Sequence, residues 1–194
     1  MAELATDERL LEQAANGNKE AFQILYERYR GPIFRFAYRL LGSVEAAEDV
    51  AHDCFLSLIK EPGRFDATKA SLRTYLYAAA RNQAAKRYQS QGRETGLDEL
   101  AEPISPDQQG PMARVLNDEL GSEIERAIAS LPLAQREALL LFEFEDLSLA
   151  EIAAVVGADS NTVKVRVFRA REKLRARLDR YFRIGDEAVT VKRA

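Results

Sequence analysis

Cys54 is the only cysteine and His52 the only histidine among 194 residues. That excludes an internal disulfide framework and leaves too few soft ligands for a zinc site built from His and Cys. No stretch approaches the roughly 18 uninterrupted apolar residues that span a bilayer. The N-terminus, MAELATDERLLEQAANGNKEAF, also lacks a basic stretch followed by an apolar run. A protein working in the cytoplasm is expected. There is no Gly-rich phosphate loop, and one histidine supports no His-based triad, so an enzyme is not expected and neither a metal nor another cofactor is required. Ten glycines and six prolines are few, and they fall between segments rich in Ala, Leu, Glu and Arg. The expected fold class is therefore all-α, without a large sheet.

The chain does carry enough apolar material to bury cores, with 46% hydrophobic and 30% charged residues, and length enough for two small domains. Its net charge of -3 argues at first against a nucleic-acid partner. The average hides a strong asymmetry. Between 160 and 183, Lys164, Arg166, Arg169, Arg171, Lys173, Arg175, Arg177, Arg180 and Arg183 face only Glu172 and Asp179. Between 95 and 125 the balance reverses, with eight acidic residues against Arg114 alone. Local binding faces separated by an acidic connector fit this pattern.

Helical spacing of apolar residues runs through the first half. Leu10, Leu11, Ala14 and Ala15 precede a break at Asn16-Gly17-Asn18, and Phe22, Leu25, Tyr26 and Tyr29 resume the series. Gly31-Pro32 is expected to interrupt or kink the path before Phe34, Ala37, Tyr38 and Leu41, with Gly42 as the stop. Ser43 is placed to cap a helix whose apolar stripe is Val44, Ala47, Val50, Ala51, Cys54, Phe55, Leu58 and Ile59. Its other face carries Glu48, Asp49, His52 and Asp53. After a loop over 61–69, Ser71 is placed to cap a further helix reaching about Tyr88, with Leu72, Tyr75, Leu76, Ala79 and Ala80 inward and Arg73, Arg81, Lys86 and Arg87 outward.

From about Gln89 to Pro111 the composition turns to Gln, Gly, Pro, Asp and Glu without a sustained period, as in a flexible tether. The expected organisation is a domain over 1–90, a linker over 91–114, a second domain over 115–183 and a tail over 184–194. Helices are expected from about Asn117 to Ser130 and again after Leu131-Pro132. In the segment 147–178, Ser148 is placed to cap a short helix with Leu149, Ile152, Ala153 and Val156 inward, which Gly157 ends. Ser160 or Asn161 is then placed to cap a second helix with Val163, Val167, Ala170, Leu174 and Leu178 inward. That is the layout of a helix-turn-helix, whose second helix enters the major groove. Its outward residues, Thr162, Lys164, Val165, Arg166, Phe168, Arg169 and Arg171, supply phosphate contacts, base-edge donors and an apolar surface for thymine methyls.

With these residues in hand, the chain from about Asp7 to Leu178 resembles the bacterial RNA polymerase sigma factors of the extracytoplasmic function (ECF) class of the sigma-70 family. AAEDVAHDCFLSLIK resembles the family's core-polymerase-binding segment, and SLRTYLYAAARNQAAKRYQSQGR its promoter-melting and minus-10-reading segment. SLPLAQREALLLFEFEDLSLAEIAAVVG followed by NTVKVRVFRAREKLR resembles its minus-35-reading domain. The resemblance implies a transcription initiation factor made of two helical domains, monomeric when free. Its implied partners are core RNA polymerase (the largest-subunit coiled-coil and the flap), promoter DNA and an anti-sigma factor. Glu48, Asp49, His52 and Asp53 would dock on the polymerase. Phe65, Ser71, Arg73, Tyr77, Arg81, Asn82, Lys86 and Arg87 would meet the minus-10 element, and Thr162, Lys164, Val165, Arg166, Phe168, Arg169 and Arg171 the minus-35 element. Tyr75 stands where the family often has Trp, Lys86 where it often has an acidic or polar residue, Asn161 where Gly is frequent and Val165 where Ser is common. The alternative is a stand-alone helix-turn-helix repressor or activator with an N-terminal sensing domain.

Overall fold

A computed structural model describes residues 6–95 and 119–191 of the chain. Eight α-helices lie among the described residues: α1 (Asp7–Ala15), α2 (Lys19–Leu41), α3 (Val44–Lys60), α4 (Leu72–Thr95), α5 (Glu119–Ala129), α6 (Leu133–Glu143), α7 (Leu149–Val156) and α8 (Ser160–Val191), with a 3-10 turn over Pro62–Arg64. The all-α fold of two small helical domains is the one expected. Most of the expected linker, from residue 96 onward, lies outside the described residues.

Local chemistry starts and stops these helices. Asn18 Oδ1 accepts the Ala21 amide at 3.0 Å, Ser43 Oγ the Ala46 amide at 3.2 Å and Ser71 Oγ the Thr74 amide at 3.2 Å. Each contact satisfies a donor that the first helical turn would otherwise leave unpaired. Gly42 (φ 73°) ends α2 and Gly157 (φ 66°) ends α7, both in the left-handed region where a side chain is strained.

Three sequence expectations are corrected. Pro32 lies inside α2, which continues to Leu41, so of the expected interruption or kink the interruption does not occur. Its ring forgoes one backbone hydrogen bond. Burial of Leu25, Tyr29, Ile33, Phe36, Ala37 and Leu40 along the same helix offsets the loss. Both α4 and α8 outrun their expected ends, α4 through residues 91–95 of the supposed linker and α8 through Gly185 to Val191. Ile59, assigned to the inner stripe, is 52% exposed because it sits at the edge of that stripe, one residue past the buried Leu58.

The first domain's core joins Leu25, Ile33, Phe36, Val50, Phe55, Leu58, Leu72 and Leu76, all nearly inaccessible to solvent. In the second, Leu139, Leu140, Leu141 and Ile152 pack on Val163, Val167 and Ala170 of α8. Each such side chain stabilises the fold by about 1.5–3 kcal/mol relative to exposure. The two cores are not isolated from each other. α4 packs on α7, and α2 packs on α5 and α6, so the two groups of helices close on one another.

Candidate nucleic-acid interface

α7, the Gly157 turn and α8 form the expected helix-turn-helix. Ser148 and Glu151 make a complete capping box at the start of α7. At the start of α8 the cap is Asp159, not Ser160 or Asn161. Its carboxylate accepts the Thr162 amide at 2.9 Å and the Thr162 hydroxyl at 2.6 Å, which holds its carboxyl below the usual carboxylate range. An Asp followed three residues later by an amide to satisfy was the available signal. Thr162, expected to face DNA, therefore has its hydroxyl committed to the cap.

Val163, Val167 and Ala170 bury one face of α8, and that fixes which residues look out. Lys164, Val165, Phe168 and Arg169 are exposed, with Phe168 at 64%, while Arg166 is half-buried. Keeping an aromatic ring in water is costly unless it meets a partner. Arg171 is drawn back onto α6, where its Nε donates to Glu143 at 2.6 Å and its guanidinium lies 5.1 Å from the Phe142 ring centre. That pair locks α8 against α6 and was not anticipated.

On α3, Glu48, Asp49 and His52 are exposed and adjacent. Asp53 is not available in the same way, because Arg87 donates to its carboxylate at 2.7 Å and ties α3 to α4. Two residues expected on separate surfaces, polymerase and DNA, are thus brought together. Cys54 is buried, and burial pushes its thiol up to about 12. It packs rather than reacts.

The loop before α4 is ordered by Asp66, which accepts the Thr68 amide at 3.0 Å and the Thr68 hydroxyl at 2.6 Å. These bonds, with Lys69, hold the carboxyl down to about 2. Phe65 is half-buried, edge-on to Tyr75 with ring centres 5.6 Å apart. Ser71, Asn82 and Lys86 are exposed. Tyr77, expected at the DNA surface, is buried at 1% exposure and donates its hydroxyl to the Glu145 carboxylate. Arg73 donates to the Glu145 carbonyl, and Arg81 Nε donates to Glu137 Oε1 at 3.0 Å.

Glu137 and Glu145 were absent from the sequence reading, as was Arg136, whose guanidinium donates to Leu40 O at 2.8 Å and to the carbonyls of Ala129 and Leu131. No local pattern could have found them. The first-domain partners Arg81, Tyr77 and Leu40 stand 56, 68 and 96 positions away in the chain. Burial raises the carboxyls of Glu137 and Glu145 above their ordinary range despite the facing cations.

Residues 25–94 match the family Sigma-70 region 2, and residues 122–174 match Sigma-70, region 4. The chain is 33% identical to the RNA polymerase sigma-H factor of Pseudomonas aeruginosa over 177 residues, covering 87% of this chain and 91% of that protein. It is 31% identical to the ECF RNA polymerase sigma factor SigW of Bacillus subtilis, covering 87% and 94%, and 31% identical to the ECF RNA polymerase sigma-E factor of Escherichia coli K12, covering 90% and 95%. Among solved structures it is similar to the sigma factor RpoE in complex with the anti-sigma factor NepR from Bartonella quintana, at 26% identity and a TM-score of 0.65 over 81% of this chain and 96% of that one. CnrH in complex with the cytosolic domain of CnrY matches at 27% identity and a TM-score of 0.66 over 89% and 97%. The region 2 match over the N-terminal helices sets aside a sensing domain there. With both regions in order along one helical chain, this protein belongs to the ECF sigma factors of the sigma-70 family.

Proposed function

We propose that this chain docks on core RNA polymerase through the exposed acidic face of α3 and directs it to promoters by two DNA contacts. Glu48 and Asp49, with His52 beside them, present negative charge to a basic helical partner such as the largest-subunit coiled-coil, and the flap meets the second domain. The face of α8 carrying Lys164, Val165, Phe168 and Arg169 reads the minus-35 element in the major groove. The loop at Phe65 and the α4 residues Asn82 and Lys86, joined on opening by Arg73, Tyr77 and Arg81, take the minus-10 element and the freed strand. No covalent step is needed. Binding free energy for displaced bases and phosphates offsets the cost of unpairing.

The observation that carries this reading is the exposed basic and aromatic face of α8, held by a buried opposite face in a helix-turn-helix. Two weak contacts on one chain raise each other's effective concentration when the element spacing fits. The neighbours RpoE and CnrH were each solved with a second protein, the first an anti-sigma factor, and a partner of that kind is proposed for this chain too.

Run-off transcription with purified core RNA polymerase on sheared genomic DNA tests the reading. Sequence-specific transcripts should appear only with the protein and vanish with Asp49→Lys. DNA binding without polymerase, and no polymerase-dependent transcripts, would overturn it.

A further inference from the structure

Lys164, Phe168 and Arg171 recur at intervals of four and three residues, so they share one line along α8. Lys164 and Phe168 are exposed. Arg171 belongs to that line by register, yet its guanidinium is taken by α6. Nε donates to Glu143 Oε1 at 2.6 Å, Nη2 stands 2.5 Å from the same oxygen, and the guanidinium carbon lies 5.1 Å from the Phe142 ring centre. Six residues further along, Arg177 Nε lies 3.8 Å from the carboxylate of Glu123, which is buried in α5. Two neighbouring helices therefore hold α8 by carboxylates, both just past the outward stretch 164–169.

Apolar packing does not by itself set how α8 is turned. Val163, Val167 and Ala170 decide which side of the helix lies inward, but apolar contact is non-directional and tolerates a small rotation about the axis. A guanidinium held between a carboxylate and a ring face is directional. With side chains the helix radius is about 5–6 Å, so a rotation of about 10° displaces an outward side-chain tip by about 1 Å. A base-edge hydrogen bond weakens steeply over such a shift.

We propose that Glu143 is a specificity-determining residue that does not touch DNA: with Phe142 it holds Arg171 as a positioning residue, which sets the rotation of α8 and so the register of Lys164, Val165, Phe168 and Arg169 on the base edges. This rests on the assignment of α8 as the minus-35 reading helix. At side-chain exposures of 53% and 38% the Arg171–Glu143 pair adds little to stability, so its effect falls on register more than on folding. The sign of the charge effect separates this role from plain electrostatics. On charge alone, removing Glu143 strengthens binding to DNA of any sequence. Removing a positioning residue weakens binding to the intact element only.

The test uses holoenzyme assembled from the full chain and core RNA polymerase, on a promoter fragment mapped by run-off transcription and on the same fragment with its minus-35 element scrambled. Competition binding at several salt concentrations reads the preference between the two fragments and the salt slope. Glu143→Gln and Arg171→Gln should each lower the preference by about fivefold, and the double variant by no more than either alone, because the two residues act as one unit. Salt slopes should match the parent's. Arg171→Lys keeps the charge and loses the planar fork, so it should behave as Arg171→Gln does. A loss in Arg171→Gln that is equal on both fragments, with a slope shallower by about 0.9 and recovery in Arg171→Lys, would overturn the proposal in favour of a phosphate contact. An unchanged preference in Glu143→Gln would overturn it too, as would a lowered preference accompanied by lost helical circular dichroism. A parent holoenzyme that binds both fragments alike would instead strike the minus-35 reading itself.

Discussion

The Ser148 hydroxyl accepts the Glu151 amide at 3.3 Å, and the Glu151 carboxylate accepts the Ser148 amide at 2.9 Å. Two donors that the first turn of α7 would otherwise leave unpaired are satisfied by two side chains. Ser148→Ala should lower stability by about 0.5–2 kcal/mol, seen as a lower urea midpoint with an unchanged slope. Val165 contributes through surface chemistry instead. It is 46% exposed beside Phe168, so it offers methyl groups and no hydrogen bond to a base edge. Val165→Ser should change the preferred base at one position of the minus-35 element in a base-substitution binding series, and an unchanged preference would remove Val165 from the readout. Such residues could be recognised in the sequence because cap and outward register depend on neighbours within one or two turns.

Helices succeed or fail on how much apolar surface they bury. α4 carries Leu72, Leu76, Ala80 and Ala84 wholly inside, and this stripe sets the direction of Arg73 and Arg81. Leu76→Ala should cost about 2–5 kcal/mol by chemical denaturation, since the site is fully enclosed and leaves a cavity. Apolar spacing identified α3, α4, α7 and α8, but it misjudged three limits. Pro32 in α2 reads locally as a break, and only the buried ladder on either side overrules it. Ile59 fits the stripe of α3 by spacing, yet it lies at the stripe's edge, one residue past the buried Leu58, and turns outward there. The polar composition after Gln89 reads as a tether although α4 continues to Thr95.

Closure of the two domains is a property of the whole molecule, and it should respond to pH. Glu145 faces Tyr77 and Arg73 of α4 and Arg35 and Arg39 of α2, while Glu137 faces Arg81 of α4, Arg166 of α8 and Arg136 of its own helix. Burial outweighs those cations and raises both carboxyls above the ordinary 4.5 they regain on opening. The closed form therefore binds protons more tightly. Its advantage is complete below 4.5 and is lost as pH rises through the raised values. Lowering pH should narrow the interdomain distance distribution read by pulsed electron paramagnetic resonance between nitroxide labels at Glu12→Cys and Lys173→Cys. Glu137→Gln with Glu145→Ala should abolish that dependence.

The sequence by itself determined the all-α class, the helix-turn-helix, the basic outward face of α8 and the acidic outward face of α3. All of these follow from side-chain period, caps and charge within a few residues, which a linear reading contains. Only the tertiary structure decided that Asp53 and Arg87 neutralise each other, that Arg171 rests on α6 and that Tyr77 lies buried under Glu145. Those pairings join residues 34, 28 and 68 positions apart. Which donor meets which acceptor over such separations is set by how the helices pack, and no local pattern encodes it.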